Sequence, residues 1–124
     1  MLIQAYHNRG RLALIALLLV VSAALAPVAH AEEWYRVRIE NASAWNIHRI
    51  YLSSASNRYW GSDLLGSNVL RTGYVFTTSY IPAGTYDLKL VDQDGDVCIV
   101  PRVSIYEATT WQITNRWLLG CELH

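Results

Sequence analysis

Hydrophobic positions along the chain fall into two regimes. From Leu12 to Ala26 the residues are almost wholly apolar. After Ala31, apolar and polar positions alternate in short runs separated by Gly, Pro, Asn, Asp and Ser. Period-two alternation puts successive side chains on opposite faces of a strand, so each run predicts a half-buried β-strand.

The runs follow one another closely. Trp34 to Glu40 sets Tyr35, Val37 and Ile39 against Arg36, Arg38 and Glu40. Asn41-Ala42-Ser43 reads as a turn; it also spells a glycosylation sequon, but turn chemistry accounts for it. Trp45 to Ser53 predicts a second strand whose phase slips, because Ile47, Ile50 and Leu52 share a face only if one residue is inserted. A bulge near His48-Arg49 supplies it. Ser53 to Gly61 is a polar loop closed by Tyr59-Trp60, and Asp63-Leu64-Leu65-Gly66 is a short apolar turn against the core. After the turn Arg71-Thr72-Gly73, Tyr74 to Tyr80 predicts a strand with Tyr74, Phe76, Thr78 and Tyr80 on one face. Pro82-Ala83-Gly84 interrupts the pattern.

The clearest hairpin runs through Tyr86, Leu88 and Leu90 to Asp94-Gly95, a favoured two-residue turn. A type I′ turn there pairs Leu90 with Ile99 and Val91 with Cys98. Leu88, Leu90 and Ile99 then face the core and Cys98 faces outward. Pro101 lacks a ladder donor, which places its strand at an edge. Val103 and Ile105 continue that strand, Thr109 to Thr114 forms the last one, and Arg116 to Leu123 is an apolar tail. No helical stripe of useful length follows Ala31. Six to seven short strands with closely spaced turns predict an all-β domain: a small antiparallel β-sandwich, Greek-key or transthyretin-like, or immunoglobulin-like, with one disulfide.

The apolar run at the start changes the picture of where the chain works. Arg9 and Arg11 precede it, Pro27 ends it, Ala29-His30-Ala31 places small residues at a cleavage site, and Glu32-Glu33 follow. This is the order of a cleaved signal peptide over residues 1–31. At about 15 residues the run is shorter than the ~20 that span a bilayer as a helix. No cysteine follows the small residues to carry a lipid. The expected product is a single domain over residues 32–124, secreted or periplasmic, with no membrane association once the leader is removed.

Charge and cysteine content narrow the partners. Residues 32–124 hold ten acidic side chains against eight basic ones, a net charge near −2. The charges are scattered, which argues against nucleic acid. Cys98 and Cys121, the two cysteines of the chain, allow one intramolecular pairing, and an oxidising compartment favours it. Five Trp are present in the whole sequence, and all follow Ala31. Large amphipathic rings fill a thin core, or line a binding face.

Three segments form a recognisable series: Trp60-Gly61-Ser62-Asp63-Leu64-Leu65-Gly66, Pro82-Ala83-Gly84-Thr85-Tyr86-Asp87-Leu88 and Val91-Asp92-Gln93-Asp94-Gly95-Asp96-Val97-Cys98. Together they resemble small exported bacterial proteins of uncharacterised function, over about Ile39 to Trp111. That resemblance implies location and fold, and no activity. The Pro-x-Gly-Thr-Tyr-x-Leu strand is also similar to transthyretin-like and collagen-adhesin-repeat sandwiches.

Candidate chemistry is sparse. Asp92, Asp94 and Asp96, with Asp63 as a further ligand, suggest a calcium site, since clustered carboxylates bind hard cations. The spacing is not that of an EF-hand: glycine falls at the fourth position, and Val103 stands where a bidentate Glu is required. A hairpin turn with solvated acids explains the same residues, so no cofactor is expected. Nucleophilic catalysis needs a base, and only His48 and His124 follow the leader; no catalytic residue is assigned. Arg58, Tyr59 and Trp60 combine rings with a cation after a polar loop, which suits contact with a protein, peptide or glycan. The leading expectation is a secreted, non-enzymatic binding or accessory module of the bacterial envelope, with inhibition among the roles it fits. The contrasting one is a calcium-stabilised structural envelope domain, and a small hydrolase stands third.

Processing gives the first prediction. The exported protein should have the intact mass of Glu32–His124; a full-length, membrane-embedded product would contradict cleavage after Ala31.

Overall fold

The structure, a computed structural model, describes residues 32–122. The expected leader over residues 1–31 and His124 lie outside them. Eight strands and one helix follow in order: β1 (Trp34–Tyr35), β2 (Val37–Asn41), β3 (Ile47–Ser54), β4 (Val75–Thr77), β5 (Ile81–Pro82), β6 (Gly84–Asp92), β7 (Val97–Ile105), β8 (Thr109–Ile113) and α1 (Asn115–Glu122). They build a three-stranded sheet β3-β6-β7, a three-stranded sheet β4-β2-β8 and a two-stranded sheet β1-β5. Apolar side chains of the two larger sheets meet in one core: Ile47, Ile50, Leu88, Leu90 and Ile105 from the first, Val37, Ile39 and Ile113 from the second. The described residues thus form a small all-β domain with two sheets face to face.

One pairing departs from an antiparallel pattern. β2 and β8 run parallel, with Ile39 opposite Trp111 and Asn41 opposite Ile113. The chain reaches β8 by crossing from β7 in the other sheet through Tyr106-Glu107-Ala108. No hairpin constrains the direction of β8 against β2. The strand expected over Tyr74 to Tyr80 is also shorter. Only Val75–Thr77 pairs with β2, Phe76 and Thr78 turn inward, and Tyr74 and Tyr80 are exposed at its ends.

The inserted residue in β3 is where the phase slip requires it. The β3·β6 register shifts between Ile47 and Arg49, and both Ile47 and Ile50 are fully buried as a result.

The β6–β7 hairpin differs from the expected one by a single residue, with large consequences. Leu90 pairs with Cys98, Lys89 with Ile99 and Val91 with Val97. The loop holds three residues, not two. Asp92 N–H donates to Asp96 O at 3.0 Å, Gly95 N–H donates to Asp92 O at 3.1 Å, and Gly95 has φ of 83°. This is a type I turn followed by a left-handed glycine. Asp92 Oδ1 selects it by accepting the N–H groups of Asp94 at 2.9 Å and Asp96 at 3.0 Å. Such self-bonding is what an Asp at this turn position does. The extra residue reverses both expected orientations. Cys98 is 2% exposed beside Leu90, and Ile99 is 52% exposed on the outside.

β7 is an edge strand, as Pro101 requires. The register shifts again between Tyr86 and Leu88, where Pro101 and Arg102 oppose the single residue Asp87. Arg102 takes φ of 56°, unusual for a residue with a Cβ, and its N–H donates to Asp87 Oδ1 at 2.9 Å. Tyr86 carries its hydroxyl back to donate to Pro82 O at 2.5 Å, the tyrosine-corner arrangement of β-sandwiches. Burial, then the nearby Glu32 and Tyr106, push the Tyr86 phenol above its ordinary value, so it remains a donor throughout the neutral range.

The opposite edge of this sheet, β3, is closed by the chain that follows it. Ile47 and Leu70 exchange two backbone hydrogen bonds of 2.9 Å, Leu64 N–H donates to Ile50 O at 2.7 Å, and Asp63 Oδ1 accepts Ile50 N–H at 2.9 Å.

The expected apolar tail is the helix α1. Thr114 caps it: Oγ1 accepts Trp117 N–H at 3.2 Å and the carbonyl accepts Leu118 N–H at 3.1 Å. Leu118 is buried, Trp117 and Cys121 are half-buried, and Leu119 is exposed. Cys121 is bonded to Cys98, with a Cα–Cα distance of 5.0 Å. Because Cys98 faces inward, the bridge ties α1 to the core side of β7, not across the outside of the hairpin. A separation of 23 residues corresponds to roughly 3 kcal/mol of chain-entropy stabilisation.

Asn41 joins these parts. Its side chain is 1% exposed and uses its whole hydrogen-bonding capacity. Nδ2 donates to Trp45 O at 2.8 Å and to Leu70 O at 2.9 Å; Oδ1 accepts Ser43 N–H at 3.1 Å and the Ser43 hydroxyl at 2.6 Å. The sequon residue is therefore a buried turn residue. Asn41→Ala should lower unfolding free energy by about 3 kcal/mol, because buried carbonyls and an amide lose their partner. Asn41→Asp, of equal size, should lose at least as much, since it turns two donors into an acceptor. Urea denaturation measures both; an Asp variant as stable as wild type would show that Asn41 is not a node.

Candidate functional site

In β6, Leu88 and Leu90 point inward, so Lys89 points out. Its register partners are Tyr51 on β3 and Ile99 on β7. The next row is Arg49, Val91 and Val97. The outer face thus carries cations, one aromatic and several aliphatic side chains. Ile99 and Val97, the latter 45% exposed, reach solvent.

The loop after β3 folds back over this face. Ser53 Oγ donates to Tyr59 O at 2.7 Å and Tyr59 N–H donates to Asn57 Oδ1 at 3.1 Å. A few residues on, Asp63 Oδ1 binds the N–H groups of Ile50 and, at 3.0 Å, Leu65. Trp60 lies between these two anchors. Its ring centroid is 5.6 Å from Lys89 Nζ, and the Tyr51 centroid is 5.2 Å from the same nitrogen. Both distances are within the range of a cation–π contact.

Trp60 is half-buried. It is not among the side chains that form or pack against the core, which include Trp45, Trp111 and Trp117. Tyr59 is 78% exposed, and Arg58 is exposed beside it. The structure therefore brings Trp60 onto the sheet and leaves Arg58 and Tyr59 at its rim. Tyr51, Lys89, Val97 and Ile99 are the site residues that sequence reasoning missed. The alternation around Leu88 and Leu90 marks Lys89 as outward. Ile99 needs the hairpin register, which a two-residue turn misassigns.

The acidic turn is a separate cluster. Asp92, Asp94 and Asp96 place one carboxylate oxygen each within 4.8 Å of the others. Asp92 is buried and its Oδ1 is committed to two backbone amides; Asp94 and Asp96 are exposed. Asp63 is not part of the cluster. Its Oδ1 serves Ile50 and Leu65. His48 is exposed in the β3 bulge, and Asp87 Oδ1 is taken by Arg102 N–H.

No protein-family model, curated protein or solved structure matches the chain. Among the described residues no helix is long and apolar enough to cross a membrane.

Asp92 organises its turn through backbone amides alone, so chelation should leave the melting temperature within about 2 °C. Micromolar calcium binding that disappears in Asp92→Asn/Asp96→Asn would establish a metal site.

Proposed function

We propose that the protein is a secreted, non-enzymatic binding module of the bacterial envelope that engages a protein partner through the outer face of β3-β6-β7. The observation that carries this reading is the row Tyr51–Lys89–Ile99 with Trp60 laid over Lys89, outside the core. Aromatic rings, a cation and exposed aliphatics in one patch have the composition of interaction centres. A face that met only water would gain nothing from a tryptophan held at both ends of its loop. Exposed aliphatics beside the rings favour a protein over a glycan, whose hydroxyls need polar partners there. The disulfide fits an oxidising compartment. Inhibition or an accessory role are both ways such a face can act.

A calcium-stabilised structural domain remains the second reading, because Asp92, Asp94 and Asp96 do converge. Hydrolysis draws no support from His48, Asp63 or Asp87, for the reasons of placement given above.

The test uses the partner captured from an envelope fraction by wild-type protein. Trp60→Ala and Ile99→Asp should each weaken that complex at least about tenfold. Trp60→Ala should lower stability by only about 1 kcal/mol, the loss of the contact with Lys89. A loss of about 3–5 kcal/mol would make Trp60 a core residue, and unchanged binding by both variants would remove the face from the function.

A further inference from the structure

The two cysteines of the disulfide pack against the same core but differ in exposure. Cys98 is packed against the core. Cys121 is half-buried, in the last turn of α1, and helps to line a groove of ≈ 510 Å³ between that helix and β7. Ile99, Val100, Pro101, Arg116, Trp117 and Gly120 are among its other walls.

α1 itself has few holds. It is eight residues long, too short to persist alone in water, and contains Gly120. Its fastenings are the Thr114 cap, a 2.7 Å bond from Ala44 N–H to Asn115 Oδ1, the buried Leu118 and the disulfide. The first three act at or before its middle. Of these fastenings, the disulfide is the one in the C-terminal turn.

We propose that Cys121 Sγ is a thiol-exchange site, at which a thiolate entering the groove between β7 and α1 opens the disulfide and releases the end of α1. The thiolate forms a bond to Cys121 Sγ while the Cys98–Cys121 bond breaks, and Cys98 leaves as a thiolate that takes a proton. A second thiol of the reductant then attacks the mixed disulfide and frees Cys121. The protein disulfide gains two electrons and the reductant becomes a disulfide. Attack at Cys98 would require opening the core, so access selects the sulfur. Burial of the departing Cys98 slows the exchange without redirecting it. The released turn opens the groove between β7 and the end of α1.

The test begins with the disulfide-bonded protein in native buffer. It is incubated with glutathione or with a thioredoxin whose resolving cysteine is serine, quenched with acid and mapped by mass spectrometry. Mixed disulfide on Cys121 should exceed that on Cys98 at least about tenfold, as attack governed by access requires. Glutathione adducts alone assign the site to free thiols, and trapped thioredoxin assigns it to protein dithiols. Equal labelling, labelling on Cys98, or adducts that form only in denaturant overturn the proposal. In the reduced protein, amide exchange of α1 should accelerate at least about tenfold while β6 stays protected. Unchanged exchange in α1, or loss of protection throughout, overturns the release of the helix.

Discussion

The fold depends on one carboxamide. Asn41 ends β2, and its side chain holds the turn that leads into β3 and the segment that closes the edge of β3. Trp45 leads into β3, Leu70 closes the edge of β3, and Ser43 lies in the turn between β2 and β3. Its backbone adds Tyr74 and Gly73, at the entry to β4. A buried amide with every donor and acceptor used favours one arrangement of these segments over nearby alternatives. The apolar residues supply most of the burial energy, but many packings would bury them. The carboxamide has one.

The second constraint is that open sheets have edges, and unpaired edges invite unwanted strand pairing. This domain treats its two long edges differently. β3 is covered by its own continuation, with Asp63 standing in for a neighbouring strand. β7 is broken by Pro101 and the Arg102 bulge, and its inner side is flanked by α1. The Asp63-Leu64-Leu65-Gly66 segment thus pairs one edge of the sheet, while the apolar tail packs beside the other. The outer face between them is where a large, half-exposed aromatic cluster is tolerated.

Much of this was legible in the sequence, and the failures have definite causes. The β3 bulge was readable because Ile47 and Ile50 cannot share a face otherwise, and Pro101 announced an edge. The class of fold followed from alternation. The hairpin register did not, because Asp94-Gly95 suits a two-residue loop and the three-residue loop depends on the Asp92 carboxylate bonding to its own turn. That error turned Cys98 outward and hid Ile99 from the site. α1 was missed because eight residues give too little periodicity to see, although Thr114 is a good cap. The parallel pairing of β2 with β8 has no local signature. In the site, Trp60 stood out in the sequence as a ring closing a polar loop, while Lys89 and Tyr51 became its neighbours only through strand register.

The three-residue turn at Asp92–Asp96 also orders events during maturation. Strand faces have a parity: with one loop residue fewer, Cys98 would lie on the far side of the sheet from α1, beyond the reach of Cys121. Hairpins form within microseconds and disulfides over seconds or longer. The turn therefore chooses its parity first, and oxidation can succeed only in chains that chose correctly. The covalent bond in this sense locks a parity that the turn has already set, and holds each oxidised molecule's hairpin in that register.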